Sequence, residues 1–409
     1  MIINSKKEKE YFADLHIHSR FSRACSTALN VENLEKWAKI KGVDLLGTGD
    51  FTHPEWLGEL KQKLNEEQGI LYTQSGFKFV LTGEISLIYT QGHGRRIHLV
   101  MLAPNFEVVD KINSYLDTKG RRDYDGRPIF KISCEEFVKE MNKISDKIEI
   151  IPAHIWTPWF GLFGSASGFD SLEEAFGSQV DKIHAIETGI SSTPQMNLRL
   201  KQLQNKTIVS FSDLHSFWPW RLGREATIFS SIGNYNEILN AIRDNTILGT
   251  VEVNPAYGKY HFDGHRLCKY SCSVQEAKKQ NNTCLICNKP LLLGVEHRVS
   301  DLSDEPENFK FTNQKKVYDI LPLHEIISLA RISGVNTKKV WDIYNKLIEE
   351  FGNEFEILIK TPREKLASFV DEKTVDLILR NREGKIRVKP GYDGVYGEAL
   401  LEEKKEKLF

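Results

Sequence analysis

Asp14-Leu15-His16-Ile17-His18 closes an apolar run with a carboxylate and two imidazoles, and the reading of this stretch decides the fold. Side chains alternate along a strand with a period of two, so His16 and His18 leave the same face and aim at one point. The same chemistry returns at Asp50 and His53, Glu84, His98, His154, Glu187, and Asp213 with His215, each time at the end of a short run rich in Val, Ile and Leu. Those runs predict strands over residues 11–17, 44–49, 79–85, 96–103, 149–153, 182–186, 207–211 and 226–230, with amphipathic helices such as 31–40, 133–144 and 235–243 between them. Such alternation predicts an α/β fold. An open sheet gathers its ligands at one switch point, whereas barrel enzymes collect them from the carboxyl ends of many strands, and the spread of polar residues here favours the barrel.

Mixed imidazole and carboxylate donors suit divalent ions such as Zn²⁺, Mn²⁺, Fe²⁺ or Mg²⁺. The ten candidates His16, His18, Asp50, His53, Glu84, His98, His154, Glu187, Asp213 and His215 exceed the needs of one tetrahedral ion, so two or three catalytic ions are expected. Ions roughly 3.5–4 Å apart can stabilise both the attacking and the leaving oxygen at phosphorus, which points to hydrolysis of a phosphate ester. Glu84, His154, Asp213 and His215 are the expected catalytic residues.

With 55 Lys+Arg against 56 Asp+Glu in 409 residues, the net charge is −1, and a nucleic-acid footprint would have to be local. No stretch approaches the roughly 18 apolar residues of a membrane span, and Met1 to Glu10 carries no apolar signal core; a cytoplasmic protein with no membrane partner is expected. Of six cysteines, Cys268, Cys272, Cys284 and Cys287 fall within twenty residues. In a reducing compartment that spacing predicts a structural Zn²⁺ closed by four thiolates, against the alternative of four unrelated buried thiols. His261, His265 and His297 flank the cluster and read as bystanders.

Residues 1–258 are therefore expected to form the barrel, 259–313 the zinc module with a polar linker, and 314–409 a helical tail. Helical periodicity at 322–330 and 337–351, interrupted by Ser333-Gly334-Val335-Asn336, and again at 361–369 and 373–381, fits a helix-hairpin-helix layout that offers amides to DNA phosphates; a plain helical hairpin reads the same way. Arg380, Arg382, Lys385, Arg387 and Lys389 then precede Gly391-Tyr392-Asp393-Gly394-Val395-Tyr396-Gly397, which joins phosphate contacts to stacking platforms. Arg95, Arg96, Arg121 and Arg122 are further candidate backbone contacts, and Trp159 and Trp218 candidate aromatic walls for a flipped base.

Asp14-Leu-His16-Ile-His18, Gly49-Asp50-Phe-Thr-His53, Gly83-Glu84, Ile97-His98, Pro152-Ala-His154 and Ser212-Asp213-Leu-His215, in that order, resemble the motifs of the PHP (polymerase and histidinol phosphatase) superfamily over about residues 10–250. The resemblance implies a distorted (β/α)7 barrel with two or three metals. Relatives often carry another His about six residues after the first pair, where this chain has Arg20-Phe-Ser-Arg-Ala-Cys25, and their second motif is a contiguous Asp-His, here split as Asp50 and His53. The order of barrel, four-cysteine module and Arg-Val-Lys-Pro-Gly-Tyr tail resembles the endonuclease Q family of DNA repair enzymes. That implies damaged double- or single-stranded DNA as partner, and cleavage on the 5′ side of uracil, hypoxanthine, xanthine and abasic sites. A small-molecule phosphatase and a non-catalytic DNA-binding module are the competing readings; the cysteine module and basic tail argue against the first, and the nearly full ligand set against the second. The terminal Lys405-Glu406-Lys407-Leu408-Phe409 also resembles sliding-clamp ligands, though these usually begin with Gln.

Overall fold

The computed structural model describes residues 9–312 and 315–401. The expected clamp ligand at 405–409 lies outside the described residues.

Ten strands position the site: β1 (Tyr11–Asp14), β2 (Leu45–Gly47), β3 (Lys78–Gln91), β4 (His93–Ala103), β5 (Glu149–Pro152), β6 (Ala185–Glu187), β7 (Thr207–Val209), β8 (Ala226–Phe229), β9 (Gly249–Glu252) and β10 (Lys316–Asp319), all but β6 and β7 belonging to one eleven-stranded sheet. β2 lies parallel to β1 and to β3, while β8 runs antiparallel to β1, and β4 antiparallel to both β3 and β5. β6 and β7 form a parallel pair of their own, tied to their neighbours by Ile155 N–H donating to Glu187 O and by a parallel bridge between Ile17 and Leu214. The chain is thus a mixed α/β fold. The expected regular strand–helix alternation breaks at β3–β4, where an eleven-pair hairpin replaces a crossover helix. A hairpin needs only a tight turn, which Gly92 supplies with φ 73°, whereas a parallel connection needs a dozen or more residues.

Local signals place the helices that cover the sheet. Asn30 accepts a hydrogen bond from Asn33 N–H at the start of Val31–Lys41, a cap that contributes about 1 kcal/mol, and Gly42 closes that helix with φ 94°. Tyr235–Arg243 buries Tyr235, Ile238, Leu239, Ala241 and Ile242 along one stripe, as its sequence period requires.

The third segment contributes a strand to the main sheet. β10 extends the main sheet by pairing parallel to β9. Helices Leu323–Arg331 and Lys338–Phe351 pack on the first unit through the buried ion pair of Lys41 Nζ with Glu354 Oε1 at 2.6 Å; Glu354 also accepts from Leu323 N–H and Tyr344 O–H. The polar stretch expected as a linker at the end of 259–313 is preceded and partly overlapped by a helix, Val295–Leu302. Among the described residues no helix is long and apolar enough to cross a membrane.

Candidate active site

Two overlapping donor sets meet at Glu84. His16, His18, Glu84 and Asp213 form one, and Glu84, His98 and His154 the other, with the donor atoms of each set within 4.8 Å of one another. Glu84 and His98 sit in mid-strand rather than at strand ends. In the β3–β4 register His98 faces Ser86, which shares a sheet face with Glu84 two residues earlier. His98 Nδ1 is 2.7 Å from Glu84 Oε1, and His154 Nε2 lies 3.3 Å from the same oxygen. On the other side His18 Nε2 is 3.3 Å from Glu84 Oε2 and 3.0 Å from Asp213 Oδ1.

Strain and close approach concentrate at these positions. His154, Asp213 and Asp50 have φ of 30°, 47° and 45°, a region non-glycine residues visit rarely and functional sites tolerate when the surroundings enforce it. Gly126 must be glycine for a different reason: a Cβ there would lie 2.2 Å from Asp50 Oδ2.

Asp50 and Glu187, expected as ligands, fall outside both donor sets. Asp50 accepts from Ser19 N–H at 2.6 Å, from the Ser19 and Ser22 hydroxyls, and lies 3.0 Å from His18 Nδ1. Glu187 lies 2.9 Å from His16 Nδ1 and accepts the main-chain N–H of His154 at 2.7 Å. Each fixes the tautomer and aim of an imidazole whose other nitrogen faces the cluster. His53 also falls outside both donor sets: it stands at the start of helix Pro54–Lys63, and its ring stacks on Phe21 at 4.3 Å. His215 lies at the mouth, one-third exposed, its ring 4.7 Å from His18 and its Nδ1 3.0 Å from Asp213 O, outside both sets.

The electrostatics are those of a site prepared for cations. Burial disfavours ionised Glu84, yet His98, Arg127 and His16 hold its carboxyl well below the usual range; for Asp213 burial is likewise outweighed, chiefly by His215 and His16. His98 is pushed down to about 4, chiefly by burial, so it presents a neutral nitrogen. His16 Nε2 and His98 Nε2 are buried with no hydrogen-bond partner. The orphaned His16 Nε2 lies 3.6 Å from both Glu84 Oε1 and Asp213 Oδ1, and an imidazole nitrogen between two carboxylates fits a divalent ion of borderline hardness.

The cluster floors a cleft of about 650 Å³ lined by Arg23, Arg127, Trp159, Phe160, Arg224, Lys259, Tyr260, His261 and Tyr396 among others. Several of these escaped the sequence reading. Arg127 Nη1 lies 3.1 Å from Glu84 Oε2, a cation at the centre of the site that was legible only as one charge of the 119–127 loop. Tyr396 arrives from the tail: Gly391, Gly394 and Gly397 N–H donate to Ala256, Lys259 and Tyr257 carbonyls, which folds the glycine–tyrosine run over the cleft. Its phenol is drawn down by Arg224, Arg221 and Lys259, which outweigh burial.

Of the expected DNA contacts, Arg96 and Trp159 are exposed and stack together, guanidinium to ring centroid 5.4 Å. Arg95 is buried and spent on Gln91 O, Gly168 O and Glu174. Arg382 likewise donates to the carbonyls of Leu358 and Ile357, in a π-helical turn at Glu356–Lys360, and of Thr361 just after it. Arg121 pairs with Asp123 on the surface, and Arg122 is held by Asp117 and Thr52 O. Trp218 belongs to an aromatic stack with Trp37, Trp220 and Trp341 that seats the helical tail. Lys385, Arg387 and Lys389 are exposed, Lys385 beside Glu383 at 2.6 Å, and Arg380 is half-buried.

The cysteine cluster forms a third donor set, apart from the two that share Glu84, with a histidine in place of one cysteine. His265, Cys268, Cys284 and Cys287 converge within 4.8 Å, and Cys272 does not join them. Strand register is the cause. In the hairpin Asp263–His265 with Tyr270–Cys272, Cys272 pairs with Asp263 at the far end, while His265 leads into the turn that carries Cys268. Cys272 Sγ instead accepts from Gln280 Nε2 at 3.2 Å. Cys287 Sγ lies 3.3 Å from His265 Nδ1. Burial raises the Cys284 thiol, but the amides of Ile286 and Cys287 outweigh it and bring it to about 7, close to the thiolate a metal needs. Of the other flanking imidazoles, His297 pairs with buried Asp263 and His261 turns into the cleft.

Fold and site together define a mixed α/β protein with two candidate metal centres, one open to a cleft and one closed by a small cysteine–histidine knuckle. Residues 322–385 match the family model of the MJ0043 C-terminal domain. The chain is 33% identical over 296 residues to protein MJ0043 of Methanocaldococcus jannaschii, 70% of this chain but only 35% of that protein's length, and 27% identical over 410 residues to YqxK of Bacillus subtilis, covering 95% and 99%. Among solved structures it is similar to the lesion-specific endonuclease PfuEndoQ of Pyrococcus furiosus (TM-score 0.86, 30% identity, 98% of both chains) and to an endonuclease Q complex with a 27-mer duplex substrate bearing an abasic lesion at the active site (TM-score 0.87, 30% identity, 98% of both chains). The chain belongs to the endonuclease Q family.

Proposed function

We propose that this protein is a divalent-metal-dependent endonuclease of DNA repair that hydrolyses the phosphodiester on the 5′ side of a damaged nucleotide, leaving a 3′-hydroxyl and a 5′-phosphate. The observation that carries the reading is the sharing of Glu84 by two donor sets at the floor of a cleft walled by arginines and aromatic rings. The full-length similarity to an endonuclease seated on an abasic duplex supports it. In this reading the sheet is a PHP-type distorted (β/α)7 barrel within residues 1–258, the cysteine–histidine module within 259–313 carries structural Zn²⁺, and 314–409 adds a helical DNA-binding region.

His16, His18, Glu84 and Asp213 would hold one ion and Glu84, His98 and His154 another, both of the Zn²⁺, Mn²⁺ or Mg²⁺ class. When bound, such ions lower the pKa of water and neutralise charge at the phosphate. The chain supplies the rest. Asp50 and Glu187 hold the imidazoles in register, and Arg127 offers a fixed cation to a phosphate oxygen as charge develops there. Trp159, Phe160 and Tyr396 provide flat walls for an extruded base, and Arg96, Arg224 and Lys259 approach the backbone. A damaged base stacks and pairs less well than a normal one, so its extrusion costs less, which is one source of lesion choice. Uracil, hypoxanthine, xanthine and abasic sites are the substrates this reading assigns.

End-labelled duplexes carrying one uracil, hypoxanthine or abasic residue, incubated with the protein and Mn²⁺, test it. A nick immediately 5′ of the lesion is expected. Cleavage 3′ of the lesion, or equal nicking of undamaged duplex, overturns it.

A further inference from the structure

Asp14 opens the stretch from which the fold is read, yet it belongs to neither donor set. Alternation along the strand places it on the same face as His16 and His18, so its fully buried carboxylate enters the same interior below them. Its two oxygens take two main-chain N–H groups from far along the chain. Oδ1 accepts from Ser212 at 2.9 Å and Oδ2 from Gly223 at 3.0 Å. One carboxylate thus closes the base of the 212–223 loop, which carries Asp213, His215, Trp218 and Trp220 between its ends. The Gly223 end is tightly seated: its φ is 59°, and a Cβ there would lie 2.7 Å from Val43 Cγ2.

The reason for so firm a hold is the backbone of Asp213. Its φ of 47° is unfavourable for a residue with a side chain, and such a conformation persists only where the surroundings enforce it. The peptides on either side supply that enforcement. Ahead of Asp213, the Ser212 N–H is held by Asp14, and the Ser212 carbonyl accepts from Arg224 Nη2 at 3.0 Å and Nε at 3.3 Å. Behind it, the Leu214 carbonyl accepts from His18 N–H at 3.1 Å. Hydrogen bonds to an ionised group are stronger than neutral ones, which makes Asp14 and Arg224 the strong members of this frame. Asp213 serves only the set it forms with His16, His18 and Glu84, and the Glu84, His98 and His154 set takes no donor from the loop.

We propose that Asp14 is a positioning residue of the metal centre: by tying both ends of the 212–223 loop to β1, it holds Asp213 in the geometry its ion requires and sets that ion's affinity without touching it. The inference rests on the metal-centre part of the proposed function and does not depend on the substrate. Asp14→Asn keeps the shape of the side chain but offers one accepting oxygen instead of two, so one end of the loop is released. Arg224→Lys loosens the same Ser212 peptide from its other side, because an ammonium lacks the planar fork.

The test is Mn²⁺ binding by the full chain without DNA, in competition with a chelator; Mn²⁺ prefers carboxylate and imidazole to thiolate, so the cysteine–histidine module stays out of the measurement. The parent should take up one ion per donor set of the cluster, and Asp14→Asn should weaken one of them about tenfold while the other stays within about twofold. At limiting Mn²⁺ the variant should nick an abasic duplex about tenfold more slowly than the parent, and saturating Mn²⁺ should restore the rate. Unchanged affinity for both ions overturns the proposal, even with a lower melting temperature, because it marks Asp14 as a support of the fold alone. So does equal weakening of both ions, or a nicking deficit that Mn²⁺ does not rescue. If Asp14→Asn fails to fold, Arg224→Lys is read by the same Mn²⁺-binding criteria. A parent protein that binds both ions, loses one in Asp14→Asn and never nicks DNA would sink the nuclease reading and leave this inference standing.

Discussion

The two donor clusters of this protein are built in opposite ways. The His–carboxylate centre draws on residues from 16 to 213, contributed by the strands and strand ends of one large sheet system, and keeps Asp213 27% exposed to a cleft. The Cys–His centre comes from 23 consecutive residues, His265 to Cys287, and four protein donors close it. An open site can admit water and a phosphate; a closed one can only hold the chain in place. The first also has a supporting layer, Asp50 and Glu187 behind His18 and His16, whereas the second has short loops with apolar tips. Precision is spent where chemistry is to occur.

That contrast is open to attack at several points. Glu84→Ala removes the carboxylate both donor sets share and should lower nicking of an abasic duplex by about 10³-fold or more, at or beyond the upper end for losing one electrostatic group, without changing the circular dichroism spectrum. Glu187→Gln leaves every donor in place but loosens His16; a 10–100-fold drop in metal affinity, by competition with a chelator, is the expected size for such a supporting partner. Cys284→Ser should release the module's ion and raise hydrogen exchange over 263–291, while cleavage of a single strand falls only several-fold, because no module donor faces the catalytic cluster. Comparable loss of cleavage in Cys284→Ser and Glu84→Ala would erase the distinction between the centres.

The smallest effect is one of stability. Glu225 is buried beside Glu252, shares the Ser210 hydroxyl with it, and receives Ile190 N–H at 2.7 Å. Burial pushes its carboxyl up to about 8. The folded protein therefore holds a proton the unfolded chain gives up near 4.5, so this contribution is full below that value and is lost as pH rises towards 8. Glu225→Gln should flatten the fall of the melting temperature between pH 5 and 8. An unchanged slope assigns the proton elsewhere.

Much of the open centre was legible because metal donors at strand ends leave a periodic, chemically distinctive trace. His16, His18, Asp213 and His154 could be named from motif and spacing alone. The sequence could not separate donors from the carboxylates that orient them, since Asp50 and Glu187 carry the same functional group and differ only in which atom they face. Arg127 was hidden in a loop of ordinary surface charges, and only the three-dimensional path that brings Gly126 against Asp50 exposes its place. The cysteine spacing points to this module, while the donors that converge there take His265 in place of Cys272, a difference set by hairpin register rather than residue type. The basic tail reads in sequence as phosphate contacts beside stacking platforms; half-buried Arg382 and the returning Tyr396 show that long-range packing, invisible in local spacing, takes up part of it.

The central claim is that the His–carboxylate cluster holds the ions that cut DNA at a lesion. Its most direct test is the nicking rate on an abasic duplex before and after chelator treatment, and again after Mn²⁺ alone is restored. Cleavage should vanish with the chelator and return with Mn²⁺ in the parent protein but not in Glu84→Ala. A chelated parent protein that nicks at an undiminished rate, or a Glu84→Ala variant rescued to the parent rate, contradicts the account.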